Sequence, residues 1–156
     1  MKRVEKSMLG VTLLEIMLVL AIAAMVIVMS VRYYQSASSS QQANAALQQV
    51  QGITAAADGL AQATGSYSAA SVSTTTLAPL MPGGSTSGFI TPWGTTITVG
   101  TPTASTYQVT LPGVPSGVCP LLKSKLAANN HYVGVSSISC SATAPTDMTY
   151  TYTANP

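Results

Sequence analysis

The chain has 156 residues, room for one domain of ordinary size, and only ten of them are charged, six Lys/Arg and four Asp/Glu. That 6% stands against roughly 25% in an average soluble domain, and 19 Ser and 20 Thr supply the polarity instead. Six cations, three of them within the first six residues, make no basic face for phosphates, so no nucleic-acid partner is expected; four scattered carboxylates make no acidic metal site; and a mean hydropathy of +0.36 with so little charge is not a disordered composition.

The charges are unevenly placed. Lys2, Arg3, Glu5, Lys6, Glu15 and Arg32 lie in the first 32 residues, and only Asp58, Lys123, Lys125 and Asp147 in the rest. A body so poor in charge and so rich in hydroxyls suits an extracellular protein or a packed assembly.

Residues 1–6, MKRVEK, form a short basic head. Ile16 to Val31 is uncharged and almost wholly apolar, and with Val11 to Leu14 the apolar stretch reaches about 20 residues, the length that spans a bilayer as a helix. A basic head before an apolar run places the head in the cytoplasm. Three readings compete here. One is a secretory signal peptide cut near Ser36-Ala37-Ser38. Another is a plain single-pass anchor. The third must account for Glu15, because a carboxylate inside an apolar helix costs about 2.5–3.5 kcal/mol on the insertion scale and needs a partner.

Gly10-Val11-Thr12-Leu13-Leu14-Glu15, set between a basic leader and a long apolar helix, resembles the type III signal of type IV pilins. The resemblance implies that a membrane-embedded prepilin peptidase cuts between Gly10 and Val11 on the cytoplasmic side and methylates the Val11 amine. It places Glu15 where the family has its assembly glutamate. Val11 as first mature residue fits the type IVb branch, and Tyr33-Tyr34-Gln35-Ser36-Ala37-Ser38 is similar to the segment after the membrane helix in bundle-forming-type pilins. Cutting after Gly10 leaves Arg32, Lys123 and Lys125 against Glu15, Asp58 and Asp147, a formal side-chain charge of zero. In a fibre core of low dielectric, Glu15 can pair with the Val11 amine of a neighbouring subunit, and a mismatch in register would leave a buried charge unpaired at about 3–5 kcal/mol. Pairing of Glu15 with its own N-terminus is the alternative.

No Pro occurs before Pro79 and no Gly between Gly10 and Gly52. Ala43, Ala46, Leu47, Val50, Ile53 and Ala57 recur at helical spacing. One helix is expected from about residue 12 to 62, with a weak point at Ser36–Ser40. Its first half is apolar all round and needs lipid or a helix bundle; its second half has one apolar stripe and packs on a domain. Residues 63–88, rich in Ser, Thr, Gly and Pro, form the connection that corresponds to the αβ-loop of the family; a flexible linker is the alternative.

From about residue 89 the period changes to two. Ile97/Val99, Tyr107/Val109/Leu111 and Met148/Tyr150/Tyr152 alternate with polar residues, and Val133/Val135 are expected to add a strand. Pro92-Trp93-Gly94 reads as a turn. Residues 117–128 read as a short helix with Pro120 near its start. The expected fold is α+β, a pilin fold: residues 1–10 a cleaved leader, 11–62 a long helix with its transmembrane part at about 11–32, 63–88 the αβ-loop, and 89–156 an antiparallel sheet laid on the helix stripe.

Cys119 and Cys140, an even pair in an oxidising compartment, are best read as a disulfide. It resembles the C-terminal disulfide of pilins. His131 reads as a surface turn residue, Lys123 and Lys125 as a solvated face, and Asp58 as a solvated or interface charge. No P-loop, GxSxG, HExxH or dinucleotide fingerprint occurs, so neither enzymatic activity, cofactor nor metal is expected.

The reading is therefore a type IV pilus subunit, a major pilin. It is single-pass in the inner membrane and then polymerised into an extracellular fibre for adhesion or aggregation, motility or DNA uptake. Its implied partners are other copies of itself, the prepilin peptidase, membrane lipid, and an assembly machinery driven by a cytoplasmic ATPase. The rivals are a minor pilin, a type II secretion pseudopilin, and a singly anchored periplasmic binding domain. A pseudopilin generally carries a C-terminal calcium site and no disulfide, whereas the last 30 residues here hold one acid, Asp147.

Overall fold

A computed structural model describes residues 12–68, 72–81 and 88–156. The chain divides into two units, Met1–Ala37 and Ser38–Pro156.

Helix α1 runs from Leu13 to Thr64 without interruption. Ser36–Ser40, the expected weak point, are helical. Serine costs only about 0.5 kcal/mol in a helix interior, and the following turns are fixed by packing of Ala43, Ala46, Val50, Ile53 and Ala57, all fully buried. Among the described residues of the first unit none is buried, and the helix is long and apolar enough to cross a membrane.

In the second unit, the chain after α1 makes a short helix, α2 (Thr74–Leu77), capped by the Ser73 hydroxyl, and then a 3-10 turn over Ala78–Leu80. The described part of the 63–88 segment is thus not structureless: Leu77 and Ala78 are fully buried. The Thr74 hydroxyl accepts the Val99 N–H at 2.8 Å and so fastens α2 to the sheet.

The sheet has five antiparallel strands, β1 (Phe89–Ile90), β2 (Thr96–Gly100), β3 (Thr106–Val114), β4 (Tyr132–Val133) and β5 (Thr146–Thr153), in the order β1-β2-β3-β5-β4. The period-two residues Ile97, Val99, Tyr107, Val109, Leu111, Met148, Tyr150 and Tyr152 point inward and share one core with the buried stripe of α1. This is the α+β pilin-like arrangement. Pro92-Trp93-Gly94 does form the β1–β2 turn, with Gly94 at φ 88°. Trp93 and Thr95 both donate to the Pro112 carbonyl, at 2.9 and 2.7 Å, where the β3–β5 register shifts between Leu111 and Val114.

Between β3 and β5 the chain makes α3 (Cys119–Ala127), with Pro120 in its first turn, then β4. The expectation that Val135 belongs to a strand with Val133 is corrected. Gly134 takes a left-handed conformation, φ 89°, which turns the chain into a 3-10 helix at Val135–Ser137 and buries Val135 there.

Candidate assembly site

The sequence singles out two places, the start of α1 and the cysteine pair. They lie in different units. Gly10 and Val11, the expected cleavage point, lie outside the described residues.

Thr12 caps α1. Its hydroxyl and carbonyl accept the Glu15 N–H at 3.3 and 2.9 Å, and its carbonyl accepts the Ile16 N–H at 3.2 Å. Thr12-x-x-Glu15 is the spacing of a capping box, and the Thr arm of that box is formed. Glu15 is exposed on the first turn of an otherwise apolar segment. A carboxylate there also favours the positive end of the helix dipole. The cap fixes the Glu15 backbone at the N-terminal end of the helix, and the residue is exposed there.

Cys119 and Cys140 are joined, their Cα atoms 5.8 Å apart and 21 residues apart in sequence. The bond encloses α3, β4 and the 3-10 turn. A second tie closes the same segment: the Lys123 ammonium, one helical turn beyond Cys119, donates to the Ile138 carbonyl at 2.6 Å. The solvated-face reading holds for Lys125, which is exposed, and fails for Lys123, which is half-buried. Two residues of spacing on α3 point the two lysines in different directions; nothing in the sequence marks which carbonyl one of them reaches.

His131 is also more than a surface turn residue. It is half-buried, its ring stacks on Tyr152 with centroids 5.6 Å apart, and Nδ1 lies 2.7 Å from the Thr153 carbonyl. A carbonyl only accepts, so Nδ1 carries the proton. Asp58 is likewise held inside the domain. It is half-buried, and its two oxygens accept the hydroxyls of Tyr67 at 2.5 Å and Tyr152 at 3.1 Å. Burial first, and the Asp58 charge with it, push both tyrosine hydroxyls up, Tyr152 from 10 to about 12. The sequence carries no local signal for this, because Asp58 and Tyr152 are 94 residues apart.

Both edge strands are only two residues long, and each exposes one large aliphatic residue, Ile90 on β1 and Val133 on β4. Leu80 and Leu121 are the other large apolar side chains that the described part of the second unit leaves open. Short edges resist uncontrolled strand addition.

A family model for bundlin, the bundle-forming pilin family, matches residues 35–156. The chain belongs to the bundlin family. The match begins after the N-terminal motif and does not include Gly10–Glu15. Membership makes the chain a structural subunit of a type IV pilus, type IVb-like, in a family of structural proteins and not of enzymes. A bundlin-family subunit works as one copy among many in a homo-oligomeric fibre and relies on assembly machinery. The apolar N-terminal helix fits a pilus anchored in the membrane. No curated protein and no solved structure matches the chain.

Proposed function

We propose that the chain is the major subunit of a type IVb-like pilus, made as a single-pass inner-membrane precursor. In this reading residues 1–10 are a leader removed by a prepilin peptidase between Gly10 and Val11, and Val11 becomes the methylated N-terminus. Residues 11–62 form the helix, in the membrane over about 11–32; residues 63–88 are the αβ-loop and 89–156 the sheet domain. An assembly machinery with a cytoplasmic ATPase draws the subunit into the fibre.

The observation that carries the reading is Glu15: one carboxylate, exposed on the first turn of a helix whose first unit is apolar and unburied. Lipid or other helices must cover that surface. A carboxylate taken into such an environment needs a cation, and the new Val11 amine of a neighbour, with a reference pKa near 8, supplies one. The pair then acts as a registry device, since only one axial stagger between subunits satisfies it.

The test is the intact mass and N-terminal sequence of protein sheared from the surface of cells that make it. A chain starting at methylated Val11, with the mass of the oxidised cysteine pair, is expected, and as the abundant species of the fibre. A chain starting beyond Ser36, or one retaining Met1 and confined to membranes, overturns the proposal. Scarcity in sheared fibres assigns a minor pilin instead, and absence of any sheared fibre a periplasmic pseudopilin.

A further inference from the structure

Arg32, Tyr33, Tyr34 and Gln35 follow the apolar segment of α1, and all four are exposed, the two rings at 79% and 74%. At 3.6 residues per turn, four consecutive residues sweep about 300° of the helix circumference within about 4.5 Å along its axis. A partner helix would instead touch a stripe repeated at three- and four-residue spacing. Polar and amphipathic side chains that ring a helix at one level match a planar boundary.

The chemistry agrees with a lipid boundary. Tyrosine has an apolar body and a polar tip, and aromatic residues collect at the headgroup level of membranes. A guanidinium pairs with phosphate through two parallel hydrogen bonds. Towards the N-terminus lie sixteen uncharged residues, Ile16–Val31, whose large side chains are between 49% and 63% exposed. Their one hydroxyl, on Ser30, is spent on the Val26 carbonyl at 2.8 Å. Met29, Ser30 and Ala37 line a shallow hollow beside the two tyrosines.

We propose that Arg32–Gln35 form an interfacial girdle that seats in the phospholipid headgroup layer and fixes how deep the helix sits before it leaves the membrane. The hydrocarbon core is about 30 Å thick. Glu15, seventeen residues before Arg32, lies about 25 Å further along the axis. With the girdle at one boundary, Glu15 falls within about 5 Å of the other, in reach of headgroups and water. The girdle thus spares the carboxylate the mid-plane of the bilayer until a neighbour's amine is at hand. This inference rests on the membrane-inserted stage of the proposed function.

The experiment uses the full chain in vesicles of phosphatidylcholine with a minority of phosphatidylglycerol. Single variants Tyr33→Trp and Tyr34→Trp report depth through quenching by lipids brominated near the headgroup or near the chain end, and the parent chain with its single tryptophan, Trp93, gives the background. Both reporters are expected to be quenched equally, and most by the shallow label. Stronger quenching by the deep label, quenching of one reporter only, or quenching that grows on tenfold dilution with lipid overturns the girdle, the last two because the rings then face a second copy. Ile16→Cys, with an impermeant maleimide on both sides of the bilayer, reads the other end; the native cysteines are paired and do not react. Combining it with Arg32→Gln, Tyr33→Ala and Tyr34→Ala is expected to change its labelling rate at least several-fold, and an unchanged rate overturns the depth-setting role. Failure of the chain to float with vesicles overturns the membrane stage itself, which separates that failure from a failure of the girdle.

Discussion

Asp58 on the long helix and Tyr152 on the last strand stand 94 residues apart in sequence, and the carboxylate of the first accepts the hydroxyl of the second at 3.1 Å. The same carboxylate takes the Tyr67 hydroxyl at 2.5 Å. One acid therefore joins the C-terminal part of α1, the chain just after it, and the final strand. Tyr67, Tyr107 and Tyr152 pack around it with ring centroids 5.0–6.2 Å apart.

Replacing Asp58 with Ala leaves two tyrosine hydroxyls without their acceptor. Hydrogen bonds to a charged group contribute about 1.5–3 kcal/mol each in favourable cases, and this site is only half-buried. A loss of about 2 kcal/mol is expected for Asp58→Ala, read as a lower urea midpoint at unchanged slope. Asp58→Asn, which keeps one acceptor oxygen, is expected to lose less. Equal stability of all three proteins would show that the network contributes nothing.

Alkaline pH should act on the same network. The Tyr152 hydroxyl is held at about 12 in the folded chain against 10 when unfolded, chiefly by burial and then by Asp58. Its folded value is raised, so its contribution is fully present below pH 10 and is lost as pH rises towards 12, where the unfolded chain has already released its proton. Tyr67 shifts in the same direction for the same causes. Thermal unfolding followed across this window is expected to show a falling midpoint, with a smaller fall in Tyr152→Phe. A midpoint independent of pH from 10 to 12 contradicts the shift.

Reduction of Cys119–Cys140, or replacement of both by Ser, releases a loop of 21 residues. The chain-entropy model puts the loss at about 3 kcal/mol. Lys123 still reaches Ile138 in the same segment, so α3 is expected to stay docked once the reduced protein is folded. Denaturation with and without reductant measures the first effect, and amide exchange at Leu122 and Leu126 checks the second.

Tyr150 carries a hydroxyl that is buried and has no hydrogen-bond partner among the described residues. Burial alone leads the causes that raise its ionisation far above the ordinary value. An unsatisfied hydroxyl in a core costs free energy that phenylalanine does not. Tyr150→Phe is expected to be stabilising by about 1 kcal/mol, and a destabilised variant would show that the hydroxyl is satisfied in solution.

Glu15 stands at the N3 position of the Thr12 cap and, by the proposed function, in a registry pair. Two substitutions separate these roles. Glu15→Gln keeps the length and polarity of the N3 position, and Glu15→Val keeps neither. Both variants are expected to insert in the membrane at normal levels and to yield no sheared fibre. Normal fibre from Glu15→Gln would show that the charge of the residue is not needed for registry.

Much of this architecture is legible in the residues alone, because it follows from local periodicity. Ala43, Ala46, Val50, Ile53 and Ala57 at helical spacing, and Tyr107, Val109 and Leu111 at strand spacing, each mark one apolar face that must find another. The run Ile16–Val31 marks a helix that no small domain can bury. The pairing of two cysteines in 156 residues offers a single connectivity. Glu15 stands out because a charge inside an apolar helix is costly enough to need a partner, and the motif Gly10–Glu15 resembles the signal of the family. The sequence does not reveal what depends on contacts between distant residues, or on one left-handed turn. Gly134 takes Val135 out of the strand. Asp58, Lys123 and His131 look like solvated groups in the chain and become internal ties only when β5 and the 3-10 turn bring Tyr152, Ile138 and Thr153 to them. A polar side chain reads the same in sequence whether its partner is water or a residue 94 places away. Only the tertiary structure decides which.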